Sequence, residues 1–313
     1  MENITRSNSD KGYSWLNILT AQAQSNPMIA LGLVLALFTV ASLFTQGLYH
    51  FVAGLSEPKV LLALAAGTAG FLTTSIGAAP ALIVKNIPQR IEDGLLGFAA
   101  GMMLAAAAFS LIIPGIDAGT TLLDNKALGG AVVVIGLALG VLLMLGLDYF
   151  TPHEHDKTGP CGPGHERCGR VWLFVFAIAL HNLPEGMAMG VGFAQGDMSV
   201  GLPLSIAIAL QDIPEGLAVA LTLRAAGIKP SMAVLVAAAT GLLEPLGAII
   251  GVSLSSGMAL AYPIGLGLAA GAMIFVVSHE VIPETHRNGH QTFATIGLMI
   301  GFAVMMMLDT TLG

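Results

Sequence analysis

Two apolar stretches of the sequence carry the same polar motif. The first, ALHNLPEGMAMGV, covers 179–191, and the second, ALQDIPEGLAVAL, covers 209–221. In each stretch a polar residue and a glutamate lie four positions apart, so on a helix they share a face, and a second polar residue lies about 100° around. Two such helices packed face to face could surround one cation, or two close together. The polar side chains are His181, Asn182, Glu185, Gln211, Asp212 and Glu215.

A proline precedes the glutamate in both motifs. Pro184 and Pro214 lack an N–H, and each displaces the carbonyl of the residue four positions earlier. Within a membrane such a carbonyl must be satisfied by protein, water or an ion. Interrupted helices of this kind recur at the ion sites of transporters.

A further acidic residue, Glu244, lies in the apolar stretch GLLEPLG. With Glu185, Asp212 and Glu215 it makes four carboxylates at membrane depth, and the middles of the apolar segments hold no Lys or Arg to neutralise them. Because unpaired charges in a low-dielectric site are untenable, these groups must hold protons, bind cations or open to water. Two divalent cations would balance the four carboxylates, and we expect such a pair.

The ligand types favour a transition metal. Imidazole with carboxylates suits zinc and other first-row ions better than calcium or magnesium. Met103, in GFAAGMMLAAA, could add a thioether that suits zinc or cadmium. The alternative is that the polar residues only join helices by hydrogen bonds; seven of them in three segments, with a repeated motif, favour a metal site.

The composition is that of a membrane protein. Of 313 residues, 55% are hydrophobic and 10% are charged, against about 25% charged in soluble proteins. The net charge of −7 argues against a nucleic-acid partner. We therefore expect an all-α polytopic bundle in a lipid bilayer. Segments of about 20 apolar residues predict nine spans, at 27–50, 59–84, 93–115, 127–150, 171–194, 200–223, 231–254, 259–283 and 291–312.

The basic residues set the expected orientation. With a cytoplasmic N-terminus and alternating spans, ten of the twelve Lys and Arg residues face the cytoplasm. The C-terminus then faces the periplasm of a bacterial inner membrane. Residues 1–26 are predicted to be a polar tail with a short surface helix near Trp15, and 27–313 to be a single transporter domain. Its cytoplasmic loop, 151–170, is rich in Pro, Gly and charge, which predicts mobility.

Polar residues near the ends of the spans suggest a path. Near the outer mouths an acidic surface would concentrate cations, and the candidate entrance residues are Asp93, Ser110, Asp117 and Asp309. At the cytoplasmic side, weaker ligands could release or sense metal. The candidate exit residues are Asp148, His153, His155, His279, Glu280, Glu284, His286 and His290.

Two other metal motifs are rejected. The stretch HEVIP would need a second His four residues after the first to be a zinc-protease motif, and that position is Pro283. Cys161 and Cys168, with His165 between them, fit neither C-x-x-C nor a closed zinc finger. We interpret these thiols as reduced loop residues.

The motifs resemble those of the ZIP metal transporters, and of the bacterial GufA-like branch in particular. The resemblance is carried by HNLPEG, QDIPEG, Glu244 and HEVIPETHR and covers about residues 27–313. It implies eight helices in a three-two-three arrangement, here with one extra leading helix, an elevator-like motion and a homodimer. Many family members have His where Gln211 stands and Asn where Asp212 stands.

The resemblance also implies a binuclear site. One metal would be held by His181, Glu185, Gln211 and Glu215, with Met103 alongside. The second would be held by Asn182, Asp212 and Glu244, with Glu185 and Glu215 bridging, and it would be either transported or structural.

The sequence thus predicts a secondary transporter, not an enzyme, that imports divalent metal by alternating access. Zinc is the expected substrate, with cadmium, iron and manganese as further candidates. Two alternatives stay open: an efflux antiporter, since motif geometry sets no direction, and a membrane-embedded metal-dependent hydrolase, which would need an open metal position and a general base.

Overall fold

The computed structural model describes residues 15–53, 57–85, 87–150, 153–155, 159–161, 170–255 and 258–312. These residues form an α-helical bundle, which confirms the predicted fold class. The helices are α1 (Trp15–Ser25), α2 (Pro27–Ala53), α3 (Pro58–Ala78), α4 (Gln89–Ala106), α5 (Ile113–Leu123), α6 (Lys126–Phe150), α7 (Arg170–Gly192), α8 (Met198–Ala225), α9 (Pro230–Thr240), α10 (Leu243–Leu254), α11 (Ala261–Val276), α12 (Ile282–Thr285) and α13 (Gln291–Leu312).

The described helices match the predicted spans. Eight segments are long and apolar enough to cross a membrane, and α7, with 23 residues, coincides with the remaining predicted span. Large apolar side chains such as Met28, Phe38 and Ile83 are exposed on the outside of the bundle. In a bilayer such side chains face lipid, so their exposure carries no hydrophobic penalty.

Packing divides the helices into two groups. The first, which we call the motif group, consists of α3, α7, α8, α9 and α10. Within it, α7 and α3 pack against α10, and α8 packs against α3 and α9. The second, which we call the frame group, consists of α4, α5, α6, α11, α12 and α13. Within it, α4 packs against α13 and α12, and α6 packs against α5 and α11. The groups meet where α4 contacts α8 and α11 contacts α7. Helix α2 touches both groups, through α6 and α10.

Three predicted spans are interrupted helices. A π-helical segment, Ala107–Ile112, joins α4 to α5, and a second, Val277–Val281, joins α11 to α12. Each π segment ends just before a proline, Pro114 or Pro283, whose ring displaces the carbonyl four residues earlier. The span 231–254 breaks between α9 and α10, so that Glu244 lies in the first turn of α10.

The predicted loop 151–170 contains a short ribbon. Strand β1 (His153–His155) pairs antiparallel with β2 (Gly159–Cys161), with His153 opposite Cys161. Cys168 and His165 lie outside the described residues. In the N-terminal tail, α1 begins at Trp15, where the sequence predicts a short helix, and Gln22 donates a hydrogen bond to the carbonyl of Tyr149 at the end of α6.

Candidate metal centre

The glycine of each Pro-Glu-Gly motif brings a helix backbone close to its neighbour. A Cβ atom at Gly186 on α7 would overlap the main-chain oxygen of Glu244 on α10. A Cβ atom at Gly216 on α8 would overlap the main-chain oxygen of Thr74 on α3. These close approaches bring the polar faces of the motif helices against α10 and α3.

The seven polar residues predicted to bind metal are all buried. His181, Asn182 and Glu185 lie on α7, Gln211, Asp212 and Glu215 on α8, and Glu244 on α10. All seven belong to the motif group. The helix break before α10 places the Glu244 carboxylate at a helix N-terminus, where the helix dipole favours negative charge.

The carboxylates share one neighbourhood. Glu185 accepts a hydrogen bond of 2.5 Å from Nε2 of Gln211 across α7 and α8. Glu185 also interacts electrostatically with Glu215 and Glu244, and Asp212 does so with Glu244, Glu185 and Glu215. Neighbouring like charges in a low-dielectric site repel strongly, so these carboxyl groups must bind protons or cations.

Several oxygen atoms at this cluster accept no hydrogen bond from the described part of the chain. They are Oδ1 of Asn182, Oε2 of Glu185, Oε1 of Gln211, Oε1 of Glu215 and Oε2 of Glu244. Buried polar atoms are almost always paired, and each exception calls for an explanation such as an ion. Five acceptor oxygens from three helices suit a divalent cation.

Met103 is buried on α4, in the frame group, and α4 packs against α8. That the Met103 thioether binds metal stays a prediction. If Met103 does bind metal, the site draws ligands from both helix groups.

Three of the predicted exit residues come together. One ligand atom from each of Asp148, His279 and Glu280 lies within 4.8 Å of the others. Nε2 of His181 lies 3.3 Å from Oε2 of Glu280. This contact joins the centre in the motif group to a second acidic cluster in the frame group.

The candidate entrance residue Asp93 does not lie near Ser110, and its role at an entrance stays a prediction. Asp93 is buried one turn into α4, and its carboxylate accepts hydrogen bonds from Gln89 (3.2 Å), Asn288 (3.0 Å) and His290 (2.9 Å). Ser110 lies 17 residues further along the same run of helix, about 25 Å away at 1.5 Å per residue. Asp93 thus lies at the same end of the bundle as the predicted exit residue His290.

The other predicted exit residues make local contacts. His286 uses its ring nitrogens with the carbonyl of Ile282 (2.9 Å) and the hydroxyl of Thr295 (3.3 Å). Glu284 pairs with Arg287 at 2.9 Å. The side chains of His153 and His155 lie outside the described residues.

At the opposite end, two predicted entrance residues meet. The hydroxyl of Ser110, in the first π segment, donates a hydrogen bond of 2.6 Å to Asp309 on α13. Asp117 lies on α5, just beyond that π segment.

Two residues beside the centre were missed by the sequence analysis. Thr74 donates a hydrogen bond of 2.9 Å to Oε1 of Glu244, and Thr73 donates one of 3.2 Å to Oδ2 of Asp212. Threonines in membrane helices commonly bond their own backbone, so neither their type nor their spacing signals this role. The π segments, by contrast, could have been found from Pro114 and Pro283.

Together, membrane-length helices and a buried, carboxylate-rich centre between them define a multi-pass membrane protein with a candidate cation site. The family model described as "ZIP Zinc transporter" matches residues 151–309. The chain is 62% identical over 293 residues to Zinc transporter ZIPB of Bordetella bronchiseptica, covering 94% of this chain and 95% of that relative. The chain therefore belongs to the ZIP family of zinc transporters, as its motifs predict; its relatives are transporters and not enzymes.

More distant relatives agree. The chain is 39% identical over 254 residues to Zinc transporter GufA of Myxococcus xanthus, covering 81% of this chain and 98% of that relative. It is 32% identical over 324 residues to Zinc transporter ZIP11 of Homo sapiens, covering 77% of this chain and 94% of that relative.

Proposed function

We propose that this chain imports zinc into the cytoplasm through a binuclear site between α7, α8 and α10. The observation that carries the proposal is the cluster of buried, mutually repelling carboxylates, several of whose oxygens accept no hydrogen bond from the residues that the structure describes. Two divalent ions neutralise four carboxylates. The relatives' names, which specify zinc, support the choice of metal, and cadmium is the proposed second substrate because its soft character suits a thioether ligand.

The proposed ligand set follows the two faces of each motif helix. The first ion is bound by His181, Glu185, Gln211 and Glu215, with Met103 alongside. The second ion is bound by Asn182, Asp212 and Glu244, and Glu185 and Glu215 bridge the two. The hydrogen bond from Gln211 to Glu185 supports this set because it links α7 to α8 at the shared carboxylate.

The proposed path runs from the Ser110–Asp309 pair to the Asp148–His279–Glu280 cluster. Zinc loses water at the centre, where His181, Glu185 and Glu215 replace the lost ligands. The His181–Glu280 contact crosses from the motif group to the frame group, so it offers the ion its next ligands. Release then faces the cytoplasm in the orientation that the basic residues predict, with the N-terminus inside and the C-terminus in the periplasm.

We propose that alternating access comes from motion of the motif group against the frame group. All seven polar residues of the centre move together in such a motion, since they lie on α7, α8 and α10. The frame group, in a homodimer, would stay fixed. This is the elevator type of transport.

The first prediction tests the site. Glu215→Ala and His181→Ala should each reduce zinc uptake into proteoliposomes to background, because the first ion loses a direct ligand. Glu57→Ala is the matched control, since Glu57 is exposed and pairs only with Lys59 among the described contacts. Thermal unfolding in detergent checks that each variant is folded. Full uptake by Glu215→Ala would refute the site assignment.

The direction of transport separates import from efflux. Cells that express the chain should become more sensitive to external zinc and should accumulate it. Protection with reduced accumulation would show an efflux antiporter instead. A purified protein that binds zinc but gives no flux in liposomes of either orientation would favour the membrane-embedded hydrolase.

A further inference from the structure

Helix α3 forms a wall of the metal centre that the binding motifs do not include. Gly70, Thr73 and Thr74 lie at positions i, i+3 and i+4, so they share one face of α3. A Cβ atom at Gly70 would overlap Oε2 of Glu244. The absence of a side chain at this position therefore gives the Glu244 carboxylate its room.

Thr74 holds one of the two oxygens of Glu244. Its hydroxyl lies 2.9 Å from Oε1 and 3.1 Å from the carbonyl of Gly70. A hydroxyl has one hydrogen to donate, and the carboxylate is both the nearer and the charged acceptor. Oε2 of Glu244 accepts no hydrogen bond within the described part of the chain. The carboxylate thus has one oxygen committed to Thr74 and one available.

Thr73 makes a weaker contact of the same kind. Its hydroxyl lies 3.2 Å from Oδ2 of Asp212, but also 2.9 Å from the carbonyl of Gly70 and 3.0 Å from that of Ala69. The two carbonyls compete for its single hydrogen. Thr73 therefore holds Asp212 less firmly than Thr74 holds Glu244.

We propose that Thr74 is a positioning residue that keeps Glu244 monodentate at the second metal position, and that Thr73 assists at Asp212. This inference rests on the proposed binuclear site. The second position already has five proposed ligand residues, more than the four ligands that Zn²⁺ binds in most protein sites, so a monodentate Glu244 suits Zn²⁺. A larger divalent ion accepts more oxygen ligands, including both oxygens of one carboxylate. The threonine hydroxyl thus favours zinc over cadmium.

The test uses the full chain in detergent and in proteoliposomes, with zinc and cadmium as probes. In Thr74→Val the methyl group replaces the hydroxyl at nearly the same volume. Zinc affinity at the second position should fall about 10- to 100-fold, as for other residues that orient a metal ligand. Cadmium affinity should fall less, so the zinc-to-cadmium preference should shift toward cadmium. Thr74→Ser should restore the native preference, and Thr73→Val should give a smaller shift.

Thr68→Val is the matched control on the same helix. Thr68 is exposed and its hydroxyl bonds only the carbonyl of Leu64 among the described contacts, so its loss should leave both affinities unchanged. An equal fall for both ions in Thr74→Val, with a lower unfolding temperature, would show a merely structural threonine and overturn the inference.

Glu244→Gln separates this inference from the proposed function. If Glu244→Gln loses the second ion while Thr74→Val keeps native affinity and preference, the site stands and the role of Thr74 is refuted. If Glu244→Gln keeps two ions at native affinity, Glu244 is not a ligand and the role of Thr74 is refuted with it. If the native chain binds a single ion, the binuclear site itself is refuted, and the inference with it.

Discussion

In both Glu185 and Glu244 the two carboxylate oxygens have different hydrogen-bonding roles. One oxygen of each accepts a hydrogen bond from a neutral donor, Gln211 for Glu185 and Thr74 for Glu244. The other oxygen accepts none within the described residues. A neutral donor fixes the carboxylate without cancelling its charge, so the free oxygen keeps its full attraction for a cation.

Gln211 should therefore support the proposed first metal position both as a ligand of the ion and as a hydrogen-bond donor to Glu185. Gln211→Met keeps the approximate volume but removes the amide that holds Glu185. Zinc affinity should fall about 10- to 100-fold, measured by titration of the purified protein. Gln291→Met, at the exposed start of α13, is the control and should bind zinc normally. Native affinity in Gln211→Met would show that Glu185 needs no such donor.

The three hydrogen bonds to the Asp93 carboxylate predict a structural acceptor rather than a part of the ion path. Asp93→Ala would leave the donors of Gln89, Asn288 and His290 without their carboxylate. The free energy of unfolding of the variant should be about 2–3 kcal/mol lower than that of the native chain, as measured by thermal or denaturant unfolding in detergent. Its zinc flux at low temperature should stay near the native rate. Unchanged stability combined with lost flux would place Asp93 on the path after all.

The interrupted helices place polar groups where a regular helix would not. Both π segments precede a proline, and both carry residues of the proposed path: Ser110 in the first, His279 and Glu280 in the second. An inserted residue rotates the side chains that precede it by about 100° relative to the helix that follows. We therefore expect the prolines to set the direction in which these side chains point.

Pro283→Ala should weaken the exit cluster. Without the proline ring the segment can return to regular α-helix, which turns His279 and Glu280 away from Asp148. Zinc flux should fall about tenfold or more because the ligands lose their orientation. Pro230→Ala is the control, since a proline in the first turn of α9 costs no hydrogen bond. Equal flux in the two variants would show that the π segment does not depend on Pro283.

At the scale of the whole molecule, helices α3 to α13 form two packed groups, and the cluster of Glu185, Asp212, Glu215 and Glu244 lies entirely in the motif group. The contact between His181 and Glu280 and the packing of α7 on α11 cross the boundary between the groups. A motion of one group past the other would break and remake these contacts. Contacts within a group would persist.

A covalent link across the boundary should therefore stop transport. A Cβ atom at Gly265 on α11 would lie 3.5 Å from the side chain of Val191 on α7, so cysteines at both positions are within disulfide reach once Ser255 rotates away. With Cys161 and Cys168 replaced by Ser, oxidation of Val191→Cys/Gly265→Cys should stop zinc flux, and reduction should restore it. The control variant, Gly115→Cys/Val133→Cys, links α5 to α6 within the frame group. It should transport zinc in both the oxidised and the reduced state. Flux that continues through the cross-boundary link would rule out the elevator motion.

The sequence by itself determined the helical membrane fold and the polar face of each motif helix. Hydrophobicity over about 20 residues and the four-residue spacing of His181 and Glu185 are local properties, and helix geometry converts them directly into spans and faces. The two motifs, with Glu244, were also enough to predict the ZIP family.

Only the tertiary structure decided which helices surround the centre. It placed Thr73 and Thr74 of α3 against Asp212 and Glu244, and it placed Asp93 beside His290 instead of near Ser110. Membrane spans of similar apolar composition do not specify their neighbours by hydrophobicity, since lipid is as apolar as another helix. Close fits between backbones, such as Gly186 against Glu244, select the neighbours, and such fits involve residues far apart in the chain.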